Sequence, residues 1–129
     1  MVSPTLFRII LPVADIERAA AFYEAVLELH GERVSPGRHY FDCGGTILAC
    51  FDPRADGDDH DPTPNPDHVY FAVDDLEAAF MRCGAAACQR VDPIATRPWG
   101  ERSFYAVDPF GNKFCMVDRS TQFRGGDGG

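Results

Sequence analysis

Arg8 and His68, which begin two similar segments of the chain, have the clearest potential for chemistry. A guanidinium is permanently protonated and can hold a carboxylate or phosphonate through two parallel hydrogen bonds. An imidazole could add a further hydrogen bond to the same anion. The pair therefore predicts anion binding. The alternative is that Arg8 bonds a neighbouring acid or faces solvent, while His68 is an ordinary hydrogen-bonded strand histidine.

Cys115 is the third candidate, since a thiolate can act as a metal ligand or as a nucleophile. Together with His68 and a third ligand such as His39, it would supply the ligand types of a zinc site. A cysteine on a buried strand is more often a small apolar residue with a raised pKa. The five cysteines are odd in number and show no C-x-x-C spacing, so we expect free, mostly buried thiols.

An internal repeat positions these residues. Residues 8–22 align with residues 68–80, which places Asp15 on Asp75 and Glu17 on Glu77. Each copy begins with a β-rich run and reaches an aspartate that can cap a helix by accepting backbone N–H bonds. Apolar residues at helical spacing follow. Each copy therefore predicts a strand followed by a capped helix.

Three further strands follow each predicted helix, which makes each copy a βαβββ module and the fold class α+β. The helices are expected to end near Gly31 and Gly84, because glycine adopts the left-handed C-terminal conformation without steric cost. Turn-forming residues at 108–112 predict a hairpin before the last strand. The first helix is expected to bury Ile16, Ala19, Ala20, Tyr23, Val26 and Leu27. The strands are expected at roughly 33–35, 38–43 and 46–51, and at roughly 88–95, 102–107 and 113–118.

The chain of 129 residues fits a single domain made of the two modules. We expect the first module at about 5–52, a solvated linker at 53–67, the second module at about 68–119 and a mobile tail at 120–129 in which Phe123 packs on the fold. A net charge of −8 disfavours nucleic acid as a partner. The sequence shows neither a membrane-length apolar run nor a signal peptide, so it predicts a cytoplasmic protein without membrane contact.

The helix starts DIERA and DLEAA, the helix FYEAVLEL and the turn DPFGN follow one another in a fairly specific order. With the two βαβββ copies, they resemble the vicinal oxygen chelate superfamily, which includes glyoxalase I, fosfomycin and bleomycin resistance proteins and extradiol dioxygenases. The resemblance spans about residues 6–118. It implies that the strands of the paired modules curl into a half-barrel around a central cavity, usually within a homodimer.

The resemblance also implies where a metal would bind. Metal-dependent members draw ligands from the first and last strands of each copy, and here these positions are Arg8, Ala49, His68 and Cys115. Enzymes of the family typically supply His, Gln and Glu, so only His68 matches. Arg8 cannot coordinate a cation and would repel it. We therefore expect no metal and no other cofactor, with a divalent metal held by other residues as the alternative.

A pocket can be outlined from the same resemblance. If His68 points into the cavity as its family position implies, strand alternation brings Tyr70 with it. Tyr105 resembles a pocket tyrosine of the extradiol dioxygenases. Trp99 either closes the pocket mouth or packs on the edge of the core, and Arg97 either joins a surface charge cluster or contacts the ligand. The predicted ligand-binding residues are Arg8, His68, Tyr70, Tyr105, Cys115 and Trp99, with catalytic residues unassigned.

These features favour a metal-free protein that binds a small anionic or aromatic molecule and forms a homodimer. The first alternative is a metal-dependent lyase, isomerase or dioxygenase of the same superfamily with a non-standard site. The second is a regulatory or scaffold protein whose pocket is vestigial and which meets a partner protein.

Overall fold

The computed structural model describes residues 2–125, which form two compact units that divide between Asn65 and Pro66. We call residues 2–65 the first module and residues 66–125 the second module. The first contains β1 (Arg8–Pro12), α1 (Ile16–Leu27), β2 (Glu32–Ser35), β3 (Arg38–Cys43) and β4 (Thr46–Phe51). The second contains β5 (Val69–Val73), α2 (Leu76–Ala85), β6 (Arg90–Val91), β7 (Ala95–Thr96), β8 (Arg102–Val107), β9 (Lys113–Asp118) and a 3-10 turn (Arg119–Thr121). The predicted α+β class with a repeated strand-helix-strand module is confirmed.

Each module builds its own sheet, and the two sheets share one strand order. In the first module the order is β1-β4-β3-β2, with β1 parallel to β4 and the other neighbours antiparallel. In the second it is β5-β9-β8-β6, with β5 parallel to β9 and β7 also paired with β8. The registers correspond as well, because Tyr40 lies opposite Ala49 as Tyr105 lies opposite Cys115. The repeat in the sequence is therefore a repeat of structure.

Aspartates cap both helices, as predicted. The carboxylate of Asp15 accepts a hydrogen bond from the backbone nitrogen of Arg18 at 3.1 Å. Asp75 accepts from the nitrogen of Ala78 at 3.0 Å. Each cap satisfies one of the N–H groups that a helix start leaves unpaired. No helix within residues 2–125 is long and apolar enough to cross a membrane.

The predicted left-handed glycines at the helix ends are wrong, although α2 does end directly after Gly84. The first helix ends before Gly31, and Glu28 takes the left-handed conformation with φ 54° and ψ 44°. Gly31 lies where a Cβ atom would collide with the rings of His39 and Phe41. Close packing, rather than helix termination, therefore requires glycine at this position. Gly84 lies inside α2.

The helix of each module packs on one face of its sheet. The buried residues of α1 are Ile16, Ala19, Ala20, Phe22, Tyr23 and Val26. This confirms the predicted set except for Leu27, which is only partly buried at the helix end. In the second module, the ring of Phe80 on α2 lies edge-on to Phe104 on β8, with centroids 5.3 Å apart. Phe104 therefore marks the helix-covered face of that sheet.

The predicted strand at 88–95 is not continuous. Two short strands, β6 and β7, replace it and both pair with β8. Pro93 lies between them, has no N–H group to donate to a ladder, and restricts the backbone of the residue before it. The proline explains the interruption.

Part of the segment predicted as a solvated linker is bound to the first module. The carboxylate of Asp56 accepts hydrogen bonds from Gly37 N at 2.6 Å and from Ser35 Oγ at 2.9 Å. Near the C-terminus, Phe123 is 83% exposed, so its predicted packing on the fold is wrong. The backbone nitrogen of Phe123 donates a hydrogen bond to the Glu101 carboxylate at 2.8 Å, so the residue is held by its backbone and not by its ring. Residues 126–129 of the predicted mobile tail lie outside the described residues.

A buried carboxylate, Asp108, organises the turn between β8 and β9. Its Oδ1 atom accepts hydrogen bonds from the backbone nitrogens of Phe110 at 2.8 Å and Asn112 at 2.9 Å. Its Oδ2 atom accepts from the side-chain amide of Asn112 at 3.2 Å. Gly111 has a φ of 92°, a conformation that glycine adopts without strain. The predicted hairpin turn is confirmed, with Asp108 at its centre.

Replacing Asp108 with alanine should lower the free energy of unfolding by about 2–3 kcal/mol, because buried N–H groups of the turn lose their acceptor. Urea unfolding measures the loss. Asp42→Ala is the matched control, since Asp42 accepts one exposed hydrogen bond, from Gly45 N, in the corresponding turn of the first module. Its loss should stay below about 1 kcal/mol. Equal losses in the two variants would contradict this account of the turn.

Candidate functional site

Strand register brings predicted site residues of the second module into one row. Cys115 on β9 lies opposite Tyr70 on β5 and opposite Tyr105 on β8. His68 comes two residues before Tyr70 and lies on the same side of the sheet. Phe104, whose ring packs on α2, points to the other side. We call the set on the side away from α2 the aromatic face; its residues are His68, Tyr70, Ser103, Tyr105 and Cys115.

The rings of the aromatic face contact one another. The centroids of His68 and Tyr105 are 4.8 Å apart with an interplanar angle of 59°, and those of His68 and Tyr70 are 6.3 Å apart. Partial burial raises the pKa of Tyr70 above the ordinary value of a phenol, and a hydrogen bond with Tyr105 raises it further. Tyr70 therefore keeps its proton at neutral pH and donates it to Tyr105. At 55% exposure, its ring is accessible to a ligand.

Arg97 is held against the aromatic face. Its guanidinium lies 4.5 Å from the centre of the Tyr105 ring. The Nε atom donates to Ser103 Oγ and the Nη2 atom to the Ser103 carbonyl, both at 3.0 Å. No carboxylate within residues 2–125 forms an ion pair with Arg97, whereas Arg102 pairs with Glu77. Arg97 therefore stands apart from the surface charge cluster and presents an unneutralised cation beside the rings.

Cys115 is completely buried at the centre of the aromatic face. Burial raises the pKa of its thiol, and a hydrogen bond with Ser103 and the charge of Arg97 offset that rise only in part. The thiol is therefore protonated at neutral pH. In that form it is neither a thiolate ligand nor an activated nucleophile, so Cys115 serves as a small apolar surface between two tyrosines.

A cavity of about 280 Å³ adjoins His68 and Tyr105. Its other lining residues are Arg90, Asp92, Ala106, Val107 and Lys113. The Nε atom of Arg90 pairs with Asp92 at 2.6 Å, whereas Lys113 has no ion-pair partner in the described part of the chain. Sequence reasoning missed these polar lining residues, because only the pairing of β6, β8 and β9 brings them together.

Arg8 lies in the first module, on the corresponding side of its own sheet. Its exposed guanidinium is 4.8 Å from the ring centre of Phe7 and 5.1 Å from that of Tyr40. Arg38 donates to the Tyr40 hydroxyl at 3.1 Å and pairs with Asp56 at 3.6 Å. Arg8 itself has no ion pair with any residue from 2 to 125. It is a solvent-facing cation on aromatic rings, and its part in anion binding stays a prediction.

Trp99 lies in the turn between β7 and β8. Its indole nitrogen donates to Glu101 Oε1 at 3.0 Å, and the ring is 61% exposed. Gly100, with a φ of 97°, and a hydrogen bond from Arg97 N to Glu101 O shape the turn. A ring this exposed does not belong to the core, so the core-edge alternative is wrong. Closure of a pocket mouth by Trp99 stays a prediction.

The described residues do not fit the metal site that the family resemblance implies. Within residues 2–125, no three His, Cys, Asp or Glu side chains converge as metal ligands. A divalent ion needs several such groups to replace its hydration shell. His39, the third ligand of the zinc alternative, accepts from Arg33 Nε at 3.2 Å and lies 3.6 Å from Glu24 in the first module. These contacts engage His39 within its own module, and the zinc alternative stays a prediction.

Comparison with known proteins agrees with the repeat and the fold. A family model described as the Glyoxalase/Bleomycin resistance protein/Dioxygenase superfamily matches residues 5–116. CFP32 from Mycobacterium tuberculosis and from Mycobacterium bovis, provisionally named a glyoxylase, is 34% identical over 109 residues. The match covers 81% of this chain and 40% of each relative, so the chain spans less than half of their length.

Solved structures show the same fold. A lactoylglutathione lyase from Agrobacterium tumefaciens superposes with a TM-score of 0.71 at 24% identity, over 94% of this chain and 98% of that one. A glyoxalase-related enzyme from Fulvimarina pelagi gives 0.75 at 21% identity, over 95% and 94%. TioX from Micromonospora sp. ML1 gives 0.69 at 22% identity, over 90% and 99%. At these identities the likeness is one of fold.

The buried, protonated state of Cys115 has a measurable consequence. In the native protein at pH 8, iodoacetamide should modify Cys115 roughly tenfold or more slowly than in urea-unfolded chain, because thiolate and access are both lacking. Mass spectrometry of the tryptic peptide 114–119 measures the rate. Equal rates in the native and unfolded states would show that Cys115 is an accessible, ionised thiol.

Proposed function

The chain belongs to the Glyoxalase/Bleomycin resistance protein/Dioxygenase superfamily, and we propose that it binds a small aromatic anion on the aromatic face of its second module. The observation that carries the proposal is the Arg97 guanidinium, which lies on Tyr105 without a carboxylate partner among the described residues. A planar ring bearing a carboxylate or phosphonate complements such a surface, because it can contact the tyrosines and neutralise the cation.

The aromatic face and the adjacent Arg97 supply several kinds of interaction. Tyr70 and Tyr105 provide ring surface, and one of their two phenol protons is free to donate a hydrogen bond to the ligand, because the bond between the hydroxyls uses the other. His68 adds a ring and a second polar group. Arg97 keeps its orientation through two hydrogen bonds to Ser103, so little side-chain entropy is lost when an anion binds.

We propose that binding requires no metal, because the described residues supply no cluster of metal ligands. The rival function is metal-dependent enzyme chemistry, and the 34% identity to a protein provisionally named a glyoxylase favours it. A scaffold protein with a vestigial pocket is the other alternative. Homodimerisation and a cytoplasmic location stay predictions from the sequence.

A ligand screen tests the proposal. Small aromatic carboxylates and phosphonates should raise the thermal midpoint of the wild-type protein, since a ligand at about 100 times its Kd stabilises by about 2.7 kcal/mol. Arg97→Met should weaken the binding of a hit by roughly 10- to 100-fold, because charge-assisted hydrogen bonds contribute about 1.5–3 kcal/mol. Isothermal titration calorimetry measures the change.

Two variants sharpen the screen. Arg54→Met removes an exposed arginine of the first module that pairs with Asp59 and Asp61, and should leave affinity unchanged. Arg8→Met tests an arginine of the first module that likewise has no carboxylate partner among the described residues: a loss there with none at Arg97 would move anion binding to Arg8 and overturn the proposed site. A screen without any hit would favour the scaffold alternative.

Metal removal distinguishes the proposal from its enzymatic rival. Elemental analysis should find less than one divalent ion per chain, and exhaustive treatment with EDTA should leave the Kd of a hit unchanged, because residues 2–125 supply no cluster of metal ligands. A stoichiometric metal that is lost in a His68→Ala variant would contradict metal-free binding.

A further inference from the structure

Lys113 is the only lysine of the chain, and it lies on the same side of the second sheet as the aromatic face. It comes two residues before Cys115 on β9, and side chains two residues apart on a strand share a face. The strand register places it opposite Val107 on β8. Its exposed side chain lines the cavity of about 280 Å³ that His68 and Tyr105 also line. The aromatic face therefore continues into the cavity.

The charges around this cavity leave one cation without a partner. Arg90 lies opposite Val107 on β8 and donates its Nε atom to Asp92 at 2.6 Å, so these two charges offset each other. The ammonium group of Lys113 forms no ion pair or side-chain hydrogen bond with any residue from 2 to 125. The cavity therefore has a surplus of positive charge, and Lys113 supplies it.

A cation without a carboxylate partner is unusual in this chain. Acidic residues outnumber basic residues by 20 to 12. Elsewhere in the second module, Arg102 pairs with Glu77 and Arg119 pairs with Asp74. Lys113 instead lies on the face that also carries Arg97, at a cavity that borders the rings. Its position favours a role in binding over that of an ordinary solvated charge.

Lys113 and Arg97 lie towards opposite ends of the aromatic face. Arg97 is bound to Ser103 on β8, whereas Lys113 lies opposite Val107, four residues further along that strand. At about 3.4 Å per residue, the two positions are roughly 13 Å apart along the strand. Tyr105 lies midway between them. A ligand ring that contacts Tyr105 would therefore have a cation beyond each of its ends.

We propose that the molecule bound on the aromatic face is a dianion, an aromatic compound with an anionic group at each end. Arg97 binds the first group, as in the proposed function on which this inference rests, and Lys113 binds the second at the cavity. A carboxylate there can pair with the ammonium and accept hydrogen bonds from the Nη atoms of Arg90, whose Nε atom alone is used by Asp92. Lys113 thus selects for charge at the far end of the ligand.

Two rod-shaped probes that differ by one charge test the inference. Biphenyl-4,4′-dicarboxylate is a dianion, and 4′-carbamoylbiphenyl-4-carboxylate has nearly the same shape with one neutral end. At low salt the full-length chain should bind the dicarboxylate about three- to tenfold more tightly, as expected for an exposed ion pair together with a statistical factor of about two for two equivalent ends. High salt should reduce the preference towards the statistical factor. Isothermal titration calorimetry measures both values of Kd.

Three variants assign the preference to one side chain. Lys113→Met should reduce it to the statistical factor and leave the Kd of the monoamide unchanged, whereas Lys113→Arg keeps the charge and should keep the preference. Arg119→Met is the matched control, because it removes one positive charge just beyond the other end of β9, where Arg119 pairs with Asp74. This variant should show the wild-type preference.

The outcomes separate this inference from the proposed function. If both probes bind and Arg97→Met weakens both, but the wild-type protein shows no preference beyond the statistical factor, the second anion subsite is wrong and the proposed function stands. A preference that survives in Lys113→Met, or that disappears in Arg119→Met, also overturns the role of Lys113. If neither probe binds, or if Arg97→Met changes neither Kd, both proposals fail.

A chemical label gives a second readout that needs no variant. Acetylation of Lys113 by acetic anhydride blocks the only tryptic cut between Arg102 and Arg119, so the peptide 103–119 stays intact and mass spectrometry measures the rate. Saturating dicarboxylate should slow this acetylation by about threefold or more, because the ammonium is then paired with a carboxylate. The monoamide should not slow it. Equal rates with the two bound probes would contradict contact between the second anionic group and Lys113.

Discussion

In the second module, β9 pairs with β5 on one side and with β8 on the other, and the register of both pairs decides which side chains face α2. A slip of one residue in any strand would turn its tyrosine or cysteine towards the helix and its phenylalanine or methionine away from it. Burial of Phe104 and Met116 therefore stabilises the register that also places Tyr70 and Tyr105 beside Cys115. The candidate site depends on the core of the opposite face.

The cations of the two modules illustrate how one scaffold supports different surfaces. In the first module, Arg38 on β3 reaches the Tyr40 hydroxyl, and Arg8 lies over the same ring. In the second, the guanidinium beside Tyr105 comes from Arg97, just beyond the short strand β7. Each module thus places positive charge beside its tyrosine, but the arginines that supply the charge lie at different positions of the two modules. Duplication preserved the strands more closely than the chemistry.

Most of the secondary structure could be predicted because it depends on local patterns. Asp15 and Asp75 cap the helices as their positions indicate, and the strands of both hairpins follow from apolar runs bounded by turns. The left-handed Glu28 could not be foreseen, since its neighbours carry no signal for that conformation. Pro93 does carry a signal, because a proline has no N–H group to donate to a strand ladder.

The candidate site was predictable in part for the same reason. Strand alternation placed His68 with Tyr70, and the repeat placed Cys115 on the last strand. The contacts of Arg97 with Ser103 and Tyr105 depend on how the β7–β8 turn folds back, which no local pattern specifies. The charged residues around the nearby cavity lie on or next to β6 and β9, which are far apart in the sequence, and share no sequence motif.

Gly31 shows that a position in this fold can reject substitutions without taking part in function. Any side chain at this position meets the rings of His39 and Phe41, so selection would retain glycine whatever molecule the protein binds. In an evolutionary profile, this position would look as constrained as a catalytic residue. The cause would be the close packing of Gly31 against the rings of His39 and Phe41, and not the chemistry of a site.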